Sequence, residues 1–126
     1  MTINDLTEAN KGLRLADLAK ANRDRCHEVY HPIDAWTPTD WACAMGGECG
    51  EALNLVKKLR RRFAHFHAPQ FHCQEVQDLV AAIGREVADT VITADLLCQR
   101  LGISLEDAIR EKFNATSEEV GSDIRL

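Results

Sequence analysis

Two acidic pairs, Glu48-Cys49-Gly50-Glu51 and Glu86-Val87-Ala88-Asp89, are the residues of this chain best suited to chemistry. On a helix, i, i+3 spacing puts two carboxylates on nearly one face, about one turn apart. Four carboxylates gathered in one place would repel and raise one another's pKa unless a divalent cation neutralised them. An all-oxygen set of this kind suits a hard metal such as Mg2+, with Mn2+ as a substitute. A single acidic pair is common on a solvated helix face; two pairs on apolar stripes at matched depth point to a metal site instead. Gly46, Gly47 and Gly50 surround Glu48, and Gly84 precedes Glu86. Each costs a helix about 1 kcal/mol relative to alanine, so either ligand approach or close helix packing is expected there. Five basic residues, Lys57, Lys58, Arg60, Arg61 and Arg62, follow along the same segment. They complement the negative end of a helix and are also placed to hold polyphosphate oxygens. Lys112-Phe113-Asn114 with Ser117 forms a second, smaller set of candidate phosphate contacts.

The elements that must position these groups read as helices, because nearly every segment between prolines and glycines is rich in Ala, Leu, Glu, Lys and Arg. No stretch alternates like a strand. The first block runs from about Leu13 to Tyr30 and stops at His31-Pro32, since the residue before a proline is pushed out of the helical region. The second opens with Thr37 as N-cap, Pro38 as first helical residue and Asp40 three residues after the cap, with Trp36 and Trp41 at the hydrophobic-staple positions. It continues to about Phe63, with Trp41, Met45, Ala52, Leu55 and Leu59 along one face. The third runs from about Gln74 to Leu101, roughly 40 Å at helical rise, and ends at Gly102. Its apolar residues cover more than one face, as expected of a central helix or an oligomer interface. The fourth restarts at Ser104 with Asp107 three residues on, carries Leu105, Ala108, Ile109 and Phe113 on one side, and ends near Gly121. If the second and third blocks form a hairpin, Glu48 lies about 22 Å before the turn and Glu86 about 18 Å after it, so the acidic pairs meet. The expected fold is therefore an all-α antiparallel bundle of about four helices.

Composition bounds the rest. The 126 residues form one domain, 1–126, with residues 1–12 as an N-terminal extension and 64–73 as a connecting loop. With 45% apolar residues, a core is possible without disulfide or metal staples. Fifteen Lys and Arg against twenty Asp and Glu give a net charge of −5, which argues against general nucleic-acid or anionic-membrane binding. No apolar run approaches the ~20 residues that span a bilayer, and the N-terminus has no signal-peptide pattern, so a cytoplasmic location is expected. Five cysteines without a Cys-x-x-Cys pair read as reduced thiols. His65, His67, His72 and Cys73 match no familiar zinc spacing. Glu28-Val29-Tyr30-His31 is a single Glu-x-x-His, where a di-iron bundle needs two.

The chain as a whole resembles the MazG-like nucleoside triphosphate pyrophosphohydrolases. The resemblance rests on an ordered set: His31-Pro32, Trp36-Thr37, Trp41, Gly47-Glu48-Cys49-Gly50-Glu51, Lys57-Lys58-Leu59-Arg60-Arg61, Glu86-Val87-Ala88-Asp89, Leu101-Gly102-Ile103 and Lys112-Phe113-Asn114. It implies Mg2+-dependent hydrolysis of a nucleoside triphosphate between the α and β phosphates. Glu48, Glu51, Glu86 and Asp89 would be the metal ligands, with Glu48 or Glu51 acting on the water. It further implies that His31, Trp36 and Trp41 contact the nucleobase and that Lys57, Lys112 and Asn114 contact phosphate or sugar, often across a subunit boundary in a homodimer or homotetramer. Four residues after Asp89, where many relatives place a tyrosine, stands Thr93, so base and sugar preference stay open. The rival expectation is a non-catalytic helical dimer module whose apolar third helix binds a protein partner.

Overall fold

The computed structural model describes residues 12–62 and 73–126. His65, His67 and His72, and most of the N-terminal extension and connecting loop, lie outside the described residues. Among the described residues there are four α-helices: α1 (Leu15–Arg25), α2 (Pro38–Arg62), α3 (Gln74–Arg100) and α4 (Leu105–Glu119). The all-α expectation holds, and the start of α2, the end of α3 and both ends of α4 fall where a local signal puts them.

The start of α2 is a reciprocal cap. The Thr37 backbone N–H donates to Asp40 Oδ2 at 2.8 Å, and the Asp40 N–H donates to Thr37 Oγ1 at 3.2 Å. Trp36 and Trp41 close the staple with ring centroids 4.6 Å apart. Serine 104 caps α4 in the same way, its hydroxyl oxygen accepting from the Asp107 N–H. Helices α3 and α4 both end on a glycine in the left-handed region, Gly102 at φ 70° and Gly121 at φ 72°. At each end the next residue bonds back five positions, Ile103 N–H to Cys98 O and Ser122 N–H to Ser117 O, both 2.8 Å. That pairing satisfies carbonyls the helix itself leaves open.

After α1 the chain widens into a π-turn, Cys26–Tyr30, closed by the His31 N–H donating to Cys26 O at 2.9 Å. His31 is then extended, as its neighbour Pro32 demands. A short 3-10 turn, Ile33–Ala35, leads into α2.

Helices α2 and α3 make the most extensive contact in the chain. They run antiparallel: an Arg62–Glu75 side-chain bond joins the end of α2 to the start of α3, and Arg100 Nε donates to Trp36 O at 2.8 Å at the opposite end. The predicted stripe of α2 is the inward one, with Trp41 and Ala52 buried and Met45, Leu55 and Leu59 half-buried. Cys26, Ile33, Trp41 and Leu96 form one core cluster, joined by Leu97. All five cysteines are free. No described side chain is fully sealed from solvent, and Leu53, Val56, Val87, Val91, Ile109 and Phe113 are exposed. The apolar side expected of α4 is therefore only half covered. Among the described residues, no helix is long and apolar enough to cross a membrane.

Alanine substitution at two glycines tests this backbone with opposite signs. Gly102→Ala forces a Cβ into the left-handed region and should cost about 1–2 kcal/mol. Gly84, inside α3, has no neighbouring atom within 4 Å of where a Cβ would stand. Gly84→Ala should gain about 0.5–1 kcal/mol, read by chemical denaturation. A loss at Gly84 would mean that a body outside this chain fills that space.

Candidate functional site

The antiparallel pairing of α2 and α3 brings the acidic pairs to one level. Glu48, Glu51 and Glu86 each contribute a carboxylate oxygen to a group whose members all lie within 4.8 Å of one another. Asp89, one turn further along α3, is exposed and stands outside that convergence. Its charge still acts on Glu86. Burial of the carboxyl pushes the Glu86 pKa above its ordinary value. A hydrogen bond with Glu51 and the charges of Glu51, Glu48 and Asp89 push it the same way. Among the described residues, no Lys or Arg forms an ion pair with these carboxylates. Three converging carboxylates with no internal cation are the donor set a hard divalent ion takes, and the residues fit Mg2+ or Mn2+.

The expected reason for the glycines divides in two. No neighbouring atom lies within 4 Å of a Cβ built at Gly46, Gly47, Gly50 or Gly84. Close packing by another helix among the described residues is therefore not what holds them.

Next to that group is a cavity of about 370 Å³ that Glu48 also lines. One wall is aromatic. The rings of His31 and Trp36 are 4.8 Å apart and those of His31 and Trp41 5.6 Å, all three tilted against one another. Trp41 is buried, its indole N–H donated to Ile33 O at 2.9 Å, so it offers only its ring. Trp36 is 39% exposed and has an accessible face. The Arg100 bond to its carbonyl, from the far end of α3, holds it in place. His31 donates from Nδ1 to Pro32 O at 2.8 Å, which leaves Nε2 as an acceptor in the neutral ring. Thr93 lines the same cavity, its hydroxyl donated back to Asp89 O at 2.8 Å.

Of the residues singled out in the sequence, the structure brings together Glu48, Glu51, Glu86, His31, Trp36 and Trp41. Besides Asp89, Lys57, Lys112 and Asn114 are not gathered with them in the single chain. Lys57 is exposed on α2, and Lys112 borders an open apolar depression on α4 with Ile109 and Phe113. Asn114 is occupied with the last residue, its Oδ1 accepting from the Leu126 N–H at 2.9 Å. Sequence reasoning missed Asn22 and Arg25, which line the cavity, and the buried Asp95 behind Asn22. A signal was present: Asp95 and Gln99, one turn apart, interrupt the apolar run of α3.

No protein-family model, curated protein or solved structure matches the chain.

The raised Glu86 pKa has a definite sign for stability. The folded state binds the proton more tightly than the unfolded chain does. Crowding of the acidic group therefore lowers stability as pH rises above the ordinary value of 4.5, and the loss disappears below it. In a chelating buffer at pH 7, Glu86→Gln should melt higher than the unsubstituted chain, and the gap should close as pH falls toward 4.5. Added Mg2+ should raise the Tm of the unsubstituted chain more than that of Glu86→Gln, by scanning calorimetry.

Proposed function

We propose that this chain is a Mg2+-dependent nucleoside triphosphate pyrophosphohydrolase, cleaving its substrate to nucleoside monophosphate and pyrophosphate. One observation carries the reading: Glu48 belongs both to the converging carboxylates and to the lining of the aromatic cavity. A ring held in the cavity would have its phosphates within reach of the acidic group. The resemblance to the MazG-like enzymes implies the same reaction.

Under this reading Glu48, Glu51 and Glu86 hold the cation, with Asp89 completing the set. When bound, the cation supplies charge neutralisation and makes the α-phosphorus more electrophilic. Glu48 or Glu51 orients a water and takes its proton. The water oxygen bonds to the α-phosphorus, the bond from that phosphorus to the bridging oxygen breaks, and the bridging oxygen leaves with pyrophosphate. His31 and the open face of Trp36 stack on the base, with the buried Trp41 ring behind them. Lys57, Lys112 and Asn114 serve the departing phosphates or the sugar across a subunit boundary. That role requires Asn114 to exchange its bond with Leu126 for one to the ligand.

Self-association belongs to the same proposal. Leu53 and Val56 on α2 and Val87 and Val91 on α3 are exposed. A second copy covering them would bury apolar surface of the same two helices that carry the acidic pairs. The same exposed residues favour a second reading, a non-catalytic helical module that binds a protein partner.

Incubation with Mg2+ and a panel of ribo- and deoxynucleoside triphosphates decides between the two. Equimolar monophosphate and pyrophosphate are expected, with turnover reduced about 10²- to 10⁴-fold in Glu48→Gln and Glu51→Gln. Phosphate release without pyrophosphate would replace the proposed bond by another. No turnover with either Mg2+ or Mn2+ would favour the module.

A further inference from the structure

The cavity wall is unusual in its polarity. Asn22 is 3% exposed and lines the cavity, yet both of its amide protons are spent on fixed partners behind it. Nδ2 donates to Ile92 O and to Asp95 Oδ2, each at 2.9 Å. Gln99 Nε2 donates to the same Asp95 oxygen at 2.8 Å and to Ala19 O at 2.9 Å. Reversing the Asn22 amide would set its oxygen against a carbonyl and a carboxylate, so the network fixes which way it points. Its Oδ1 has no hydrogen bond among the described residues. No buried side-chain oxygen or nitrogen lacks a partner, so Oδ1 still reaches accessible space.

The other inner lining groups are also acceptors or are spent. The Trp41 N–H goes to Ile33 O, the Cys26 thiol to His31 O at 3.2 Å, and the Thr93 hydroxyl to Asp89 O. In its neutral form His31 offers only Nε2 as acceptor, and Glu48 offers carboxylate oxygens. Arg25, Tyr30 and Trp36, whose donors remain available, are exposed.

From this we infer that Asn22 is a specificity-determining residue: its pinned Oδ1 selects a nucleobase presenting an exocyclic amino group and rejects the keto counterpart at the same ring position. Asp95 is the positioning residue that holds the amide. The inference rests on the nucleotide reading of the cavity and deepens it. An amino group gives Oδ1 a hydrogen bond, whereas a keto oxygen there leaves two acceptors facing each other in a desolvated site. Matched pairs isolate the effect from ring size: cytosine against uracil, and adenine against hypoxanthine.

Tryptophan fluorescence titration of the full chain with CMP, UMP, AMP and IMP tests this without hydrolysis. The expected result is a Kd about 10- to 100-fold lower for CMP than UMP and for AMP than IMP. That ratio should fall to near one in Asn22→Ala. It should persist in Asp95→Asn, whose side-chain carbonyl can still accept from both amides. Ratios within one preparation cancel any loss of folded protein, and the unsubstituted chain alone is decisive if Asn22→Ala does not fold. Equal or reversed affinities, a preference that survives in Asn22→Ala, or no binding of any of the four overturns the inference. Equal affinities with pyrophosphate release intact would leave the hydrolase reading standing. A clear amino preference without turnover would support the inference and remove the hydrolase.

Discussion

Mutual repulsion among Glu48, Glu51 and Glu86 is the interaction around which this molecule is arranged. Carboxylate oxygens within 4.8 Å of one another, with no ion pair to a basic side chain among the described residues, oppose the pairing of α2 and α3 that produces them. The pairing persists because the same two helices bury Trp41, Ala52, Val76, Leu79 and Leu96 along their length. Apolar burial thus holds a charge arrangement that the acidic residues would not adopt by themselves. Burial of the Glu86 carboxyl, followed by its hydrogen bond with Glu51 and the neighbouring acidic charges, pushes its pKa above the ordinary value.

The rest of the site follows from how the ends of this hairpin are tied. The proline-terminated π-turn, the Thr37–Asp40 cap and the Arg100 bond to Trp36 O place three aromatic rings over the space between α1, α2 and α3. Behind them, Asp95 is buried without a cation and is satisfied by two amides. A buried carboxylate needs such partners. Here meeting that need also sets the polarity of a cavity wall, so a packing requirement and a recognition property share the same atoms.

The core is thin for a chain of this size. Helix α4 leaves Ile109 and Phe113 in solvent, and α2 and α3 leave Leu53, Val56, Val87 and Val91 there. Those on α2 and α3 belong to the two helices that carry the acidic residues.

Much of the fold was legible in the sequence because its signals are local. Capping residues, prolines and glycines act within a few positions of themselves, and for that reason the start of α2, the end of α3 and both ends of α4 fall where Thr37-Pro38, Gly102, Ser104 and Gly121 put them. The two acidic pairs were legible for the same reason: i, i+3 spacing is a property of one helix. Their convergence was open to arithmetic on helical rise, given a hairpin. What only the tertiary structure decided concerns groups far apart in the chain. Asp89 stands outside the carboxylate convergence because side-chain direction across a helix pair depends on how the helices are rotated against each other. The glycines beside Glu48 face open space rather than a packed helix for the same cause. Asn22 and Asp95 are 73 positions apart, and neither has a local pattern that names the other. Sequence by itself determined the helices and the chemistry they carry; the packing of α1 on α3 decided which atoms of that chemistry face the cavity, because hydrogen-bond direction is set by partners that meet only in the folded chain.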